Sequence, residues 1–457
     1  MITSRSSRSA ILRLGSASAA LLTSLALGGC GPVDGPTYYS DAKPILDAYC
    51  VDCHTEGGVA PFPYDTAEQA AESAALIAWA VADRAMPPWD ADSSVRPLRY
   101  DLALSDAHIA TLTEWADAGA AMGDPADEAT PIALEKGGLD RVDVDLTLPA
   151  PYTPDPARAD DYRCFPIDWP ETETSWISGF VGQPDYDPVV HHIVAFVVPP
   201  SAADLVHGYD DYSDGPGYPC FGAISPTDQI TDDVINTSML GQWAPGMEGI
   251  ALPDNTGVRI EPGTVMVLQM HYTTVVETLA PDQSSLGMRV EHDAPERDAY
   301  LVPWMNYAWY ANPDTMAIPA GESGVLHSHQ AELVGSVQTQ AGGAGGTLDQ
   351  GAVVHSVFPH MHKIGRSFAL TKVSADGAEE LLLSIPSWDF DWQRDYAFAE
   401  PVVFEPGDQL RSECWWDNTA EWRAEQGVTP VEPIGVTWGE GTYDEMCVAL
   451  LTVTPPE

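Results

Sequence analysis

Ala352-Val-Val-His-Ser-Val-Phe-Pro-His-Met-His-Lys-Ile-Gly365 is the stretch on which the reading of this 457-residue chain turns. Residues 352–357 are mostly β-branched and apolar, the composition of a strand with at least one buried face. The run ends in His360-Met361-His362. Residues two apart on a regular strand share a face, so His360 and His362 can converge on one metal ion while Met361 points away. Runs of the same character recur at 142–148, 189–198, 265–272, 367–373, 380–385 and 447–453, separated by Pro, Gly and Asp. This spacing predicts antiparallel β-sandwiches from about 139 onward. The region is longer than one sandwich uses, and we divide it near 294 into 139–293 and 294–457. The Gly-rich stretch 342–346 reads as a flexible loop.

Two further sites carry histidine. His191 and His192 sit in Pro188-Val-Val-His-His-Ile-Val-Ala-Phe196, and His271 ends Val265-Met-Val-Leu-Gln-Met-His-Tyr272. Adjacent histidines on a regular strand point to opposite faces, so joint ligation by His191 and His192 requires a strand end or a bulge. Imidazole suits copper, zinc, iron and nickel, and an added thioether selects for copper that cycles through Cu(I). His207, His292, His327, His329 and His355 have no matched role. His327-Ser328-His329 is a second H-x-H, but no Gly follows it and we read it as a loop. His355 lies on the approach to His360 and is a candidate for supporting a ligand.

Residues 37–123 are Ala-rich with helical periodicity at 45–49, 67–81 and 106–120, a small all-α domain, and 124–138 reads as a linker. Within it Cys50-Val-Asp-Cys53-His54 is the C-x-x-C-H pattern of covalent haem c, in which two thiols add to the porphyrin and the histidine ligates iron. A bare C-x-x-C can also be a redox dithiol. Met86-Pro-Pro-Trp89 follows at a spacing that lets Met86 be the distal ligand, and the helix containing Trp115 closes the domain in the manner of a class I cytochrome c. His108 is the rival distal ligand, read here as a surface residue.

Arg5, Arg8 and Arg13 precede an apolar stretch ending in Leu27-Gly-Gly-Cys30, which reads as an export signal over 1–29 with Cys30 as the lipidation site. The protein is then expected to be periplasmic, outer-membrane-anchored or displayed on the surface of a Gram-negative bacterium, touching membrane through the lipid alone. Cys164, Cys220, Cys414 and Cys447 remain, and four distant cysteines in an exported chain point to two disulfides. Pairing 164 with 220 and 414 with 447 keeps each bridge within one half, although three connectivities are open. Against 20 Lys and Arg stand 68 Asp and Glu, a net charge of −48. A phosphate backbone would be repelled, which excludes nucleic acid as a partner. No G-x-S-x-G, G-x-G-x-x-G or P-loop element accompanies these motifs.

In order along the chain, H-H, Q-M-H-Y, H-M-H-x-x-G and Tyr443-Asp-Glu-Met446-Cys447 resemble the type II copper, ascorbate-dependent monooxygenases, the group of the peptidylglycine and dopamine enzymes. The resemblance covers roughly 140–455. It implies two jelly-roll sandwiches after the cytochrome c-like domain and two copper ions. His191, His192 and His271 would hold the electron-transfer copper, and His360, His362 and Met446 the catalytic one. It also implies the bridges Cys164–Cys220 and Cys414–Cys447, and hydroxylation of a substrate C–H bond with O2, one electron coming from each copper.

Two departures stand out. Where the peptide-amidating branch anchors a carboxylate with Arg, Asn and Tyr, this chain has Phe358, Val448 and Leu450, so a non-peptide small substrate is expected. The attached haem c is the other, and it implies electrons fed through the chain itself, with an ascorbate-like reductant or another cytochrome as donor. An exported haem and copper electron carrier without oxygenase activity is the alternative.

Overall fold

The computed structural model describes residues 35–457 apart from 57, 59, 212, 214, 221–223, 227–236, 277 and 341–347. The expected leader 1–29, the lipidation candidate Cys30 and the loop 342–346 lie outside the described residues. The chain divides into two compact units, residues up to 87 with 104–132, and 88–103 with 133–457.

The helical unit opens on one π-helical turn and α1 (Lys43–Tyr49), with Pro44 in the first turn where a missing N–H costs nothing. A capping box starts α2 (Ala67–Glu72): the Thr66 hydroxyl accepts from Gln69 N, and the Gln69 side chain accepts from Thr66 N. The continuous helix predicted over 67–81 is broken at Ser73, where α3 (Ala74–Ala82) begins. Ser105 caps α4 (Asp106–Asp117). Its Leu112 and Trp115 are buried among Tyr38, Leu46, Ile77 and Val81.

The sequence predicts this unit as one run over 37–123, and the structure differs. Residues 88–103 belong to the β unit, where Asp92 N donates to Ser384 O (2.8 Å), Arg99 N to Ala397 O (2.8 Å) and Ala399 N to Pro97 O (3.0 Å). Part of the expected linker belongs to the helical unit, because Ala129 N donates to Tyr39 O (3.0 Å) and Lys43 pairs with Glu128 (3.1 Å). Neither segment carries helical or strand periodicity, so only tertiary hydrogen bonds assign them.

The β unit starts with β1 (Val144–Thr147), β2 (Asp160–Asp168), β3 (Ser175–Gln183), β4 (Val190–Val198), β5 (Tyr218–Pro219), β6 (Ser238–Trp243), β7 (Ile250–Ala251), β8 (Thr256–Ile260), β9 (Val265–Thr273), β10 (Ser285–Glu291) and β11 (Arg297–Asp298). They form two sheets, β1-β10-β3-β8-β11 with β7 beside β3, and β5-β2-β9-β4-β6. Phe165, Ile193 and Leu268 of one sheet meet Ile177, Phe180 and Met288 of the other in a shared core. β9 is buried from Val265 to Tyr272, which is why it reads as a continuous apolar run rather than an alternation.

A second pair of sheets follows. It contains β12 (Tyr300–Trp304), β13 (Ser323–Glu332), β14 (Ala352–His360), β15 (Gly365–Val373), β16 (Glu379–Ile385), β17 (Tyr396–Phe404), β18 (Gln409–Asp417) and β19 (Val448–Thr454), ordered β12-β19-β14-β17 and β13-β18-β15-β16. Val354, Val357, Phe404 and Leu451 pack against Phe368, Leu383, Leu410 and Trp416. The division between the sandwiches falls after Ala299, whose N–H still bonds Gly257 O, a few residues beyond the expected 294. Both disulfides form, Cys164–Cys220 and Cys414–Cys447, with Cα separations of 5.8 and 6.0 Å.

The Cys414–Cys447 bridge joins residues 33 apart and ties β18 to the start of β19. Replacing both cysteines by Ser should lower the unfolding free energy by about 3–4 kcal/mol in urea denaturation, and a loss under about 1 kcal/mol would show that packing alone holds these strands together.

Candidate metal centres

Between β4 and β9 the register pairs Val190 with Tyr272 and then His192 with His271, shifting by one residue. His191 is the extra residue of this bulge. The obstacle that two adjacent histidines face opposite ways is thereby removed. Nδ1 of His192 lies 3.3 Å from Nδ1 of His191 and 3.2 Å from Nδ1 of His271. Two nitrogens bound to one divalent ion at about 2.0–2.1 Å, with a near-tetrahedral angle, stand about 3.3 Å apart, so the three fit a single metal. Among the described residues this is the one group of three or more His, Cys, Asp or Glu side chains so arranged.

Neighbours determine which nitrogen is presented. His271 Nε2 donates to Asp160 Oδ1 (2.9 Å), which also accepts from the Thr442 hydroxyl (2.7 Å). The proton therefore sits on Nε2 and the lone pair on Nδ1. Tyr162 stacks on the same ring at 4.1 Å. Burial pushes His191 down to about 3 and lowers His192 and His271, Asp160 opposing the fall at His271. All three imidazoles are neutral ligands at neutral pH.

His360 closes β14 and Gly365 opens β15, leaving 361–364 as a tight connection. Gly365 is needed there, because a Cβ would stand 2.7 Å from Trp388 Cδ1 and 3.0 Å from His362 O. His360 Nδ1 bonds Gln393 Oε1 (2.6 Å), and His362 Nδ1 bonds Asp444 O (3.1 Å). Both acceptors place the proton on Nδ1 and leave Nε2 for a ligand. The rings are 5.0 Å apart, and burial pushes His360 down to about 4 and His362 well below its ordinary value. Met361 is buried in the core of the second sandwich. Met446 is half-buried beside that core, in a segment aligned with the H-x-H turn through the bond to Asp444 O and the His360–Val448 pairing.

Members of both histidine sets, His191 and His192 of one and His360 of the other, line one cavity. It has a volume of about 210 Å³ and is lined by His191, His192, His360, Phe358, Phe390 and Gln393, among others. The His192 and His360 rings are 6.3 Å apart, and Phe390 stacks on His191 at 5.1 Å. Phe358 and Leu450 face each other across β14 and β19 and are buried.

In the helical unit Cys50 and Cys53 are not joined in a disulfide, and burial pushes Cys50 up to about 12. That disfavours a thiolate and hence a poised redox dithiol. His54 Nδ1 donates to Pro61 O (2.7 Å) and its ring stacks on Tyr64 at 4.6 Å, leaving Nε2 for a metal. Met86 is 41% exposed, and Phe62, Leu76 and Trp79 are exposed large apolar side chains of the same unit. Two thiols and an imidazole with its proton fixed are the donor types that a c-type haem would require. His108 differs from the surface reading: it is half-buried, its ring lies 5.5 Å from Tyr49, and its Nδ1 is buried without a partner.

His327 and His329 lie on β13 rather than in the expected loop. His327 donates to Ala317 O (2.9 Å) and packs near Trp416, and His329 packs on Trp304, so both serve aromatic packing. His355 bonds the Thr454 hydroxyl (2.8 Å) at a bulge of β14 and supports no ligand histidine. Asp160, Gln393 and the Asp444 carbonyl were invisible as site groups, since each acts on a histidine remote in sequence.

Residues 343–454 match the family described as copper type II ascorbate-dependent monooxygenase, C-terminal domain. The DBH-like monooxygenase protein 1 of Gallus gallus is 25% identical over 285 residues, and that of Homo sapiens 26% over 280 residues. Each alignment covers 60% of this chain and 40% of the relative, so the chain spans about 40% of the length of the curated relatives it matches. A solved structure of PNGF-II aligns at a TM-score of 0.27 with 10% identity, covering 68% of this chain and 65% of that one, too slight a likeness to bear on the fold. The match over residues 343–454 and the relatives make the copper type II monooxygenases the family that this chain resembles.

Because burial keeps His191 near 3 and lowers its two neighbours, protons should compete for this triad only at lower pH than for solvated imidazoles. Zinc titrated against a chelator should show a tight component, absent in His271→Ala, whose chelator-corrected affinity falls less between pH 7 and 5 than that of a solvated three-imidazole chelate. An equal fall would mean that the imidazoles are solvated.

Proposed function

We propose that the β unit hydroxylates a C–H bond of a small, non-peptide substrate with O2, using one copper held by His191, His192 and His271 and a second held by His360, His362 and Met446. The observation that carries this reading is one cavity lined by His191 and His192 of one set and His360 of the other, with His271, His360 and His362 each held in a single tautomer by a partner behind the ring. Copper, when bound, supplies one-electron chemistry and the reduction of dioxygen. The chain's own residues orient and insulate. Asp160, Gln393 and the Asp444 carbonyl turn a chosen nitrogen of His271, His360 and His362 inward. Phe390 and Phe358 give part of the space between the sets an apolar wall. Phe358, Val448 and Leu450 offer no charge for a substrate carboxylate, so the substrate is apolar or draws polar contacts from Gln393 and Gln242, which also line the cavity. A weak thioether at Met446 favours the reduced ion.

The helical unit is proposed to carry haem c on Cys50 and Cys53, with His54 and Met86 as axial ligands, and to pass electrons to the copper unit from an ascorbate-like reductant or another cytochrome. The fixed tautomer of His54 supports this. An exported lipoprotein anchored at Cys30 completes the reading, since haem c is assembled outside the cytoplasm.

Metal analysis of the purified protein should give two copper ions per haem, falling to one in His271→Ala and to one in the double variant His360→Ala, His362→Ala. Retention of both ions in either variant would reject the ligand sets. Under labelled dioxygen, a panel of small aromatic and aliphatic compounds should yield one product carrying one labelled oxygen. Met446→His should keep some copper and lose at least 90% of that product, and full activity would remove Met446 from the site.

A further inference from the structure

The Glu445 side chain is fully buried, beside Met446 and within hydrogen-bonding reach of the H-x-H turn. Its Oε2 accepts from His362 N (2.9 Å) and Trp416 Nε1 (2.8 Å), and its Oε1 accepts from Ile364 N (2.8 Å). Among the described residues no Lys or Arg pairs with it. Its own backbone is tied to the strand-like segment before it, Glu445 N donating to Thr437 O (3.2 Å) and Gly439 N to Glu445 O (3.1 Å). On the other side of Met446, Cys447 is bridged to Cys414 on β18, the strand that carries Trp416.

We propose that Glu445 is the positioning residue of the second metal centre: it sets the distance between the His362 imidazole and the Met446 thioether. The inference rests on the copper reading of His360, His362 and Met446. A buried carboxyl group without a counter-charge is expensive, and packing alone would be served better by an apolar side chain of similar volume. What a carboxyl group does here is accept. Two of its three donors are main-chain N–H groups of the H-x-H turn, one on the ligand residue His362 and one two residues beyond. The third anchors it to β18. Met446 is thus held on both flanks, by the Glu445 carboxyl on one and by the Cys447 bridge on the other, and the turn carrying His362 is fastened to the same point. Glu445→Gln keeps the size but turns an NH2 group toward N–H donors, so at least one of the three bonds is lost.

The test uses the full chain, with and without copper. In the metal-free protein, Glu445→Gln should speed amide exchange at His362 and Ile364 at least tenfold while leaving His192 and His271 unchanged. In the copper-loaded, reduced protein it should remove the sulfur contribution from copper X-ray absorption and shift the stretch of bound carbon monoxide, with the nitrogen contribution of the first set retained. Wild-type sulfur scattering and an unshifted stretch in the variant would overturn the proposal. Sulfur missing from the wild type as well would instead reject Met446 as a ligand, and this proposal with it. If Glu445→Gln does not fold, Trp416→Phe removes one donor alone and should still shift the carbon monoxide stretch; no shift there overturns the role equally.

Discussion

The one-residue slip between β4 and β9 makes three imidazoles a single group. Without it His191 and His192 would lie on opposite faces of the sheet and His271 would meet only one of them. β9 is the strand against which the slip is measured, flanked by β2 on one side and β4 on the other and buried along most of its length. From Ile193–Met270 to Val198–Val265 the ladder runs on without a further shift, and this stretch sets the register that places the histidines.

The two histidine sets solve the same problem in opposite ways. At His271 a carboxylate takes the Nε2 proton and Nδ1 faces its neighbours. At His360 and His362 an amide and a carbonyl take the Nδ1 protons. In both, burial lowers the affinity of the rings for protons, and behind His271, His360 and His362 the partner determines which lone pair is free. The second sandwich meets the first through Phe358 and Leu450, whose side chains join the core of the first, and this contact brings the His360 ring opposite His192.

Several elements carried no clear signal. β2, β3, β10, β13, β17 and β18 mix polar residues, Pro or Gly into their runs, and their strand character comes from pairing with partners far along the chain. β13 is the instructive one: its His327 and His329 alternate with exposed residues and look like loop in isolation, yet nine residues pair along β18. The segment 88–103 is similar, with Arg96 paired to Glu380 and Leu98 bridged to Phe398, contacts to residues nearly three hundred positions away.

The sequence by itself determined the residue types and their short-range spacing: the H-x-H ahead of a required glycine, the paired histidines, the C-x-x-C-H turn, the apolar strand runs and the cysteines available for bridging. These are legible because they depend on neighbours a few positions away. Only the tertiary structure decided that His191, His192 and His271 meet, which nitrogen His271, His360 and His362 present, and that Glu445 fastens the turn of His362. His271 and His192 are 79 residues apart, and His362 and Asp444 are 82 apart. Such pairings come from strand register and sheet packing, which belong to the whole core and to no local pattern.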